Sequence, residues 1–284
     1  MDRTTIKNFT VGSFIFSVIS LFILAFGKID YNISLLLLNR KASWAEFFYV
    51  FGEQPAYWGL LIGTVILLSA HKSKNKAGQI CYSAASLLFS FLCVYLLIII
   101  PTRYIYDLMN SPVPTDMKAT VAAVAAVISI CITVIVPQYE ARLKKFRLQA
   151  LFLIMVIITE MLLVGIMKDI WGRPRMRSIS GFKEFRYWYE IAGPAAGQEY
   201  KSFPSGHSAK SFTMIAFCVF VPQGKKIRFR LFIAFSVIWG ILVAISRVVL
   251  GAHFLSDVIA GFFVTMACIY YYCNLLFNGH KRVS

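Results

Sequence analysis

Residues 148–175 read LQALFLIMVIITEMLLVGIMKDIWGRPR. Positions 148–167 hold a single charge, Glu160, and no proline; then Lys168, Asp169, Arg173 and Arg175 arrive together. A helix rising about 1.5 Å per residue needs roughly 17–25 apolar residues to cross a hydrocarbon layer about 30 Å thick. The stretch therefore reads as a membrane span whose far end carries an unusual density of charge. Seven other stretches have comparable length and character, near 9–27, 54–71, 79–100, 117–137, 207–222, 231–250 and 254–277. The segment from Tyr31 to Leu38 is too short to cross and is expected at the interface as an amphipathic turn or helix.

Composition agrees with this reading. Hydrophobic residues make up 58% of the 284 and charged residues 15%, with a mean hydropathy of +0.69. Soluble domains carry roughly 45–50% apolar and about 25% charged residues, so a water-soluble fold and intrinsic disorder are both excluded. The net charge of +16 would suggest nucleic acid in a soluble protein. Here the basic residues sit in short runs between apolar stretches, where they act as topology signals. The six cysteines, Cys81, Cys93, Cys131, Cys218, Cys268 and Cys273, all lie in apolar stretches without a Cys-x-x-Cys pair. They read as small buried hydrophobes. No small-residue cleavage site follows the first apolar run, so it is expected to be retained as a helix.

The expected fold is an all-α polytopic membrane helix bundle of about eight transmembrane helices, with both termini cytoplasmic. Loop charge sets that orientation. The segments assigned inside hold fifteen Lys and Arg against two acids, Asp2 and Glu140. They are Arg3 and Lys7; Lys72, Lys74 and Lys76; Arg142, Lys144, Lys145 and Arg147; Lys225, Lys226, Arg228 and Arg230; and Lys281 and Arg282. An excess of basic residues marks cytoplasmic loops. The outer segment 168–203 breaks the pattern with Lys168, Arg173, Arg175, Arg177, Lys183, Arg186 and Lys201. Taken singly, Arg173, Arg177 and Arg186 read as interfacial arginines snorkelling to headgroups.

Three clusters fall on the same predicted face. The first is Lys168 to Arg175. The second is Pro204-Ser205-Gly206-His207, opening the sixth span. The third is Ser246-Arg247, followed after five residues by His253 and then Asp257. Lys and Arg bind phosphate oxygens, the first as a point charge and the second through a planar fork. A Ser-Gly pair at a helix start presents backbone N–H groups to an anion. Two histidines supply nucleophilic and acid–base chemistry. Each cluster alone has an ordinary reading, as a turn, an interfacial bystander or a surface pair; their coincidence on one face does not.

Together the clusters resemble the tripartite signature of the type 2 phosphatidic acid phosphatase superfamily. Its relatives include lipid phosphate phosphatases, undecaprenyl-diphosphatases, glucose-6-phosphatases and vanadium haloperoxidases. The signature is Lys-x6-Arg-Pro, Pro-Ser-Gly-His and Ser-Arg-x5-His-x3-Asp. The second and third parts match fully, and the first matches as Lys168-x6-Arg175 with Met176 in place of the proline. The resemblance covers about 148–270, within a single domain of 1–284. Simple members have three spans before the first motif and this chain has five, so the hairpin of about 79–137 resembles an insertion.

The resemblance implies a metal-independent, cofactor-free histidine phosphatase. His253 would attack phosphorus to form a phosphohistidine, Asp257 would hold the other ring nitrogen, and His207 would protonate the leaving oxygen and later activate water. Lys168, Arg175 and Arg247, with Ser205 and the Gly206 backbone N–H, would clamp the phosphate. Loop charge puts this site on the extracytoplasmic face of a multi-pass protein of the cell membrane. A phosphorylated lipid or prenyl diphosphate is the expected partner. The alternatives are a soluble phosphomonoester such as a sugar phosphate, a phosphotransferase, and a non-catalytic lipid-binding or transport relative. The aromatic residues Phe182, Phe185, Tyr187, Trp188 and Tyr189 are expected either to anchor in the interface or to roof the pocket. Glu160 is expected to face protein, either braced on Lys210 or Ser211 or hydrogen-bonded at another helix interface.

Overall fold

Backbone N–H and C=O groups have no water to bond in hydrocarbon, so apolar runs of this length resolve into helices. The computed structural model describes residues 3–278 apart from 70, 72, 74, 195 and 223. Asp2, Lys72, Lys74, Lys281 and Arg282, used in the loop-charge argument, lie outside the described residues. The helices are α1 (Arg3–Leu24), α2 (Ile29–Leu37), α3 (Ser43–Phe51), α4 (Gln54–Thr64), α5 (Lys76–Leu108), α6 (Thr115–Ile135), α7 (Glu140–Leu143), α8 (Arg147–Trp171), α9 (Gly206–Phe212), α10 (Lys226–Val249) and α11 (Leu255–Asn278). No strand occurs among the described residues.

Five helical stretches are long and apolar enough to cross a membrane: Thr5–Leu24, Lys76–Leu108, Thr115–Ser178, Lys226–Val249 and Leu255–Phe277. The third contains both α6 and α8. Two of the expected spans are less regular. After α4 the chain forms a π-helical turn at Val65–Ser69, and after α9 it tightens into a 3-10 helix at Thr213–Phe220.

The chain divides into two compact units, Met1–Glu53 with Ile158–Ser284, and Gln54–Ile157. The boundary falls inside α8. In the first unit α1 packs along α11, α9 lies against α10 and α11, and α3 packs on α10. The buried positions of α1 are Ile6, Thr10, Ser13, Ser17 and Leu24, one stripe at helical spacing. Its hydroxyls bond back to their own helix, Thr10 to the Ile6 carbonyl, Ser13 to Phe9 and Ser17 to Ser13. The stripe is therefore small and internally satisfied, the condition for close helix approach in lipid. Gly261 serves the same end on α11, where a Cβ would sit 2.5 Å from the Ser205 carbonyl oxygen.

In the second unit Ser86, Ser90, Cys93, Val94 and Leu97 of α5 are buried, as are Val121, Ala125 and Ser129 of α6. These two helices pack along each other. Ser86 accepts or donates in a hydroxyl chain that joins Ser69 at 2.7 Å and Thr133 at 3.2 Å. Two of the cysteines expected to be buried, Cys81 and Cys131, are exposed instead. Their helices present those faces outward, where an apolar thiol suits a lipid surroundings as well as a core.

Candidate active site

The three sequence clusters converge within the first unit. The Arg173 guanidinium donates to Asp257 Oδ1 at 2.6 Å, joining the first cluster to the third. The Ser205 N–H donates to the Asp257 carbonyl at 2.9 Å, joining the second to the third. Lys168 Cε and Lys210 Nζ each lie 3.7 Å from where a Cβ on Gly206 would stand, joining the first to the second. The Arg177 N–H donates to the Gly251 carbonyl at 2.8 Å, a second tie between the first and third.

His253 sits in the turn between α10 and α11, held by its own N–H on the Arg247 carbonyl, and is 2% exposed. Asp257 is one helical turn further on and fully buried. Their Nδ1 and Oδ2 atoms are 3.6 Å apart, beyond ordinary hydrogen-bond length. Between them stands the Ser202 hydroxyl, which donates to Asp257 Oδ2 at 2.6 Å and lies 3.5 Å from His253 Nδ1. Asp257 Oδ2 also takes the Phe254 N–H at 2.9 Å. Burial pushes the His253 imidazole well below its ordinary pKa, with Asp257 opposing and Lys168 and Arg175 reinforcing the shift. The shift favours the neutral ring.

Arg173 corrects the sequence reading of a snorkelling side chain. It is 0% exposed. Besides Asp257 it donates to Asp30 Oδ2 at 3.0 Å, to the Ser256 hydroxyl at 2.7 Å and to the Arg186 carbonyl at 2.9 Å. Its guanidinium also lies over the rings of Phe254 and Phe185, at 4.5 and 5.2 Å. Such an ion can leave water only when every donor finds a partner. Asp30 and Ser34 are the buried residues of α2, and Ser34 accepts the Leu255 N–H at 2.9 Å. The short amphipathic segment turns its polar side inward and braces the start of α11. Arg177, by contrast, is exposed and pairs with Glu199.

Lys168, at the end of α8, donates to the Lys201 carbonyl at 2.7 Å, and Arg175 Nε to the Gln198 carbonyl at 3.0 Å. Ser205 is the N-cap of α9, its hydroxyl accepting from the Ser208 N–H at 3.4 Å. Arg247 is 3% exposed and stacks 4.5 Å above the Tyr49 ring. Of the loop aromatics, Phe185 is buried against Phe254, at 5.0 Å between centroids. The Tyr187 hydroxyl donates to the Gly27 carbonyl and the Trp188 indole to Leu21. Tyr189 stays exposed. The loop is thus packed on the protein, through Phe185 on Phe254 and through Tyr187 and Trp188 on the end of α1 and the turn after it.

His207 lies in the first turn of α9, buried, with Nδ1 3.0 Å from Glu53 Oε1 and Nε2 3.2 Å from the Tyr49 carbonyl. Glu53 also receives Lys210 Nζ at 3.1 Å, which corrects the expected pairing of Lys210 with Glu160. Burial opposes the charge on Glu53, but His207 and Lys210 outweigh it and hold its carboxyl well below the usual range. Glu160 does face protein, being 0% exposed, yet neither carboxylate oxygen has a hydrogen-bond partner among the described residues. No group of three or more potential metal ligands occurs among the described residues.

Sequence reasoning missed Asp30, Tyr49, Glu53 and Ser202. Only Ser202 carried a signal, lying three residues before Ser205 of the second cluster.

Residues 149–281 match the PAP2 superfamily. The chain is 32% identical over 134 residues to a lipid A 1-phosphatase of Rhizobium etli, covering 45% of this chain and 53% of that protein. It is 35% identical over 109 residues to a lipid A 4'-phosphatase of Rhizobium leguminosarum, covering 37% and 45%. The chain thus spans about half the length of the curated relatives it matches. No solved structure matches it. The matched segment encloses all three parts of the signature, so through residues 149–281 this chain is similar to the PAP2 superfamily.

Proposed function

We propose that this protein is a membrane phosphatase that hydrolyses a phosphate ester or diphosphate carried on a lipid. The observation that carries this reading is the meeting of the three segments that carry Lys168 and Arg175, Ser205 and His207, and Arg247 with a buried His253 beside Ser202 and Asp257. Asp257 and Ser202 occupy the Nδ1 side of His253, so Nε2 is the attacking atom. It displaces the lipid oxygen from phosphorus as His207 delivers a proton to that oxygen, leaving a phosphohistidine. Water then attacks phosphorus, His207 takes its proton, and the P–N bond breaks to release phosphate. Lys168, Arg175 and Arg247 stabilise the charge on the equatorial oxygens, together with Ser205 and the Gly206 N–H. The histidine mechanism asks for no metal or cofactor.

The relatives are named for a phosphate on lipid A. That supports a lipid headgroup phosphate as substrate, held with its chains in the bilayer. Loop charge supports both termini in the cytoplasm, about eight crossings and the site on the extracytoplasmic face. The hairpin of about 79–137 is an insertion ahead of the catalytic core, in a single phosphatase domain.

The test is phosphate release in detergent from phosphatidate, a prenyl diphosphate, lipid A and glucose 6-phosphate, with and without EDTA. Wild type is expected to cleave a lipid in preference to the sugar phosphate, at an unchanged rate in EDTA. His253→Ala should be slower by about 1,000-fold or more, the order seen when a nucleophile is removed. Equal release by both proteins would sink the enzyme assignment, and loss of activity in EDTA would sink metal independence.

A further inference from the structure

Each histidine of the site is backed by a carboxylate, and each carboxylate by a cation. His253 has Asp257 and then Arg173. His207 has Glu53 and then Lys210. The second arrangement belongs to none of the three sequence clusters, because Glu53 comes from the junction of α3 and α4, more than 150 residues before its partner.

We infer that Glu53 is a positioning residue for His207, fixing its ring and holding the proton that the leaving oxygen receives, and that Lys210 fixes Glu53. The inference rests on the proposed role of His207. Glu53 Oε1 accepts at Nδ1 from 3.0 Å, while the other ring nitrogen faces the Tyr49 carbonyl at 3.2 Å. Both neighbours are acceptors, so both ring nitrogens are satisfied only when each carries hydrogen. That is the form a general acid takes before it gives up its proton. The Tyr49 ring lies 5.5 Å from the imidazole and limits its rotation. The Tyr49 carbonyl marks where the leaving oxygen must compete for Nε2–H, since Nδ1 is occupied by Glu53.

The charged groups around His207 come from four elements. Lys210 lies on α9 itself, Arg247 on α10, and Lys168 and the buried Glu160 on α8, with Glu53 and Tyr49 approaching from α3 and its end. Burial opposes a proton on the imidazole most, Arg247 and Lys210 act in the same direction, and Glu53 acts against them. Glu53 is the carboxylate in contact with the ring. Removing its charge must therefore weaken the hold of His207 on its proton.

The experiment compares wild type with Glu53→Gln, which keeps an acceptor and loses the charge, and with Glu53→Gln/Lys210→Met, which also removes the stranded ammonium. The first readout is the pH profile of kcat and KM on the lipid that wild type cleaves fastest. Turnover by a general acid fails as pH rises past its pKa, so the alkaline limb should move to lower pH by about one unit. At pH 7.5 kcat should fall about tenfold, with KM within twofold. The second readout needs no activity: the titration of His207 in nitrogen-15 histidine-labelled protein, whose midpoint should also fall. A folded Glu53→Gln protein with wild-type limb and midpoint would overturn the inference, even if its melting temperature dropped. If Glu53→Gln does not fold, the double variant gives the same two readouts and is judged by the same outcomes. Failure of the phosphatase reading looks different, because His253→Ala would then match wild type whatever Glu53 did.

Discussion

A histidine that burial keeps neutral has two measurable consequences at His253. Catalysis needs its lone pair, and a depressed pKa preserves that lone pair into acid, so the acid limb of kcat/KM should lie below the ordinary value of about 6.5. For stability the sign runs the other way. The unfolded chain binds a proton here as pH falls through about 6.5 and the folded chain does not, so stability is lost progressively below that pH. Thermal melting followed from pH 8 to 4 should show the loss, and His253→Gln should remove its upper part; a variant curve parallel to wild type would refute the assignment. At this scale the sequence was most legible where chemistry is local. His207, His253, Asp257 and the basic set were singled out from type and spacing; the structure ties their three segments together, and their roles stand as proposed. The residues that hold them were not found, because Glu53 meets Lys210 across 157 residues and Asp30 meets Arg173 across 143, and nothing near either in sequence announces the meeting. Arg173 was misread for the same reason: a lone arginine near an interface looks solvated until its two carboxylates are known.

Helix α8 carries both the opening signal of the fold and its oddest residue, Glu160, wholly buried with no hydrogen bond to either oxygen among the described residues. An unsatisfied buried polar group costs about 1–3 kcal/mol. Replacement by an apolar residue of similar size removes that cost, so Glu160→Leu should melt several degrees higher in detergent and keep kcat within about threefold. A lower melting temperature would mean that the carboxylate has a stabilising partner after all. Periodicity and length placed the long helices well, since α1, α5, α6, α8, α10 and α11 overlap the expected spans. They could not foresee the π turn after α4 or the 3-10 run after α9. Those depend on side-chain packing along the helix and leave the apolar pattern unchanged.

For the molecule as a whole, the loop-charge balance is the ground for proposing an extracytoplasmic site, and labelling tests that proposal. Ser180 is exposed in the loop beside Arg175 and Arg177. A Ser180→Cys protein in intact cells should react with a membrane-impermeant maleimide, while Lys226→Cys should be protected until the cells are opened. The reverse pattern would invert the topology. Class and general architecture were legible because 58% apolar composition and eight long runs leave few alternatives. How the short helix α2 is used was not, since its reach to α11 is a tertiary matter. That reach sets a timetable for biosynthesis. Asp30 emerges from the ribosome early, yet its partners Arg173 and Ser256 follow 143 and 226 residues later. During that interval a carboxylate waits at the membrane surface without the cation that will neutralise it. A nascent chain cut short before Leu255 would keep Asp30 and Arg173 but lack Asp257, leaving the arginine with half its counter-charge.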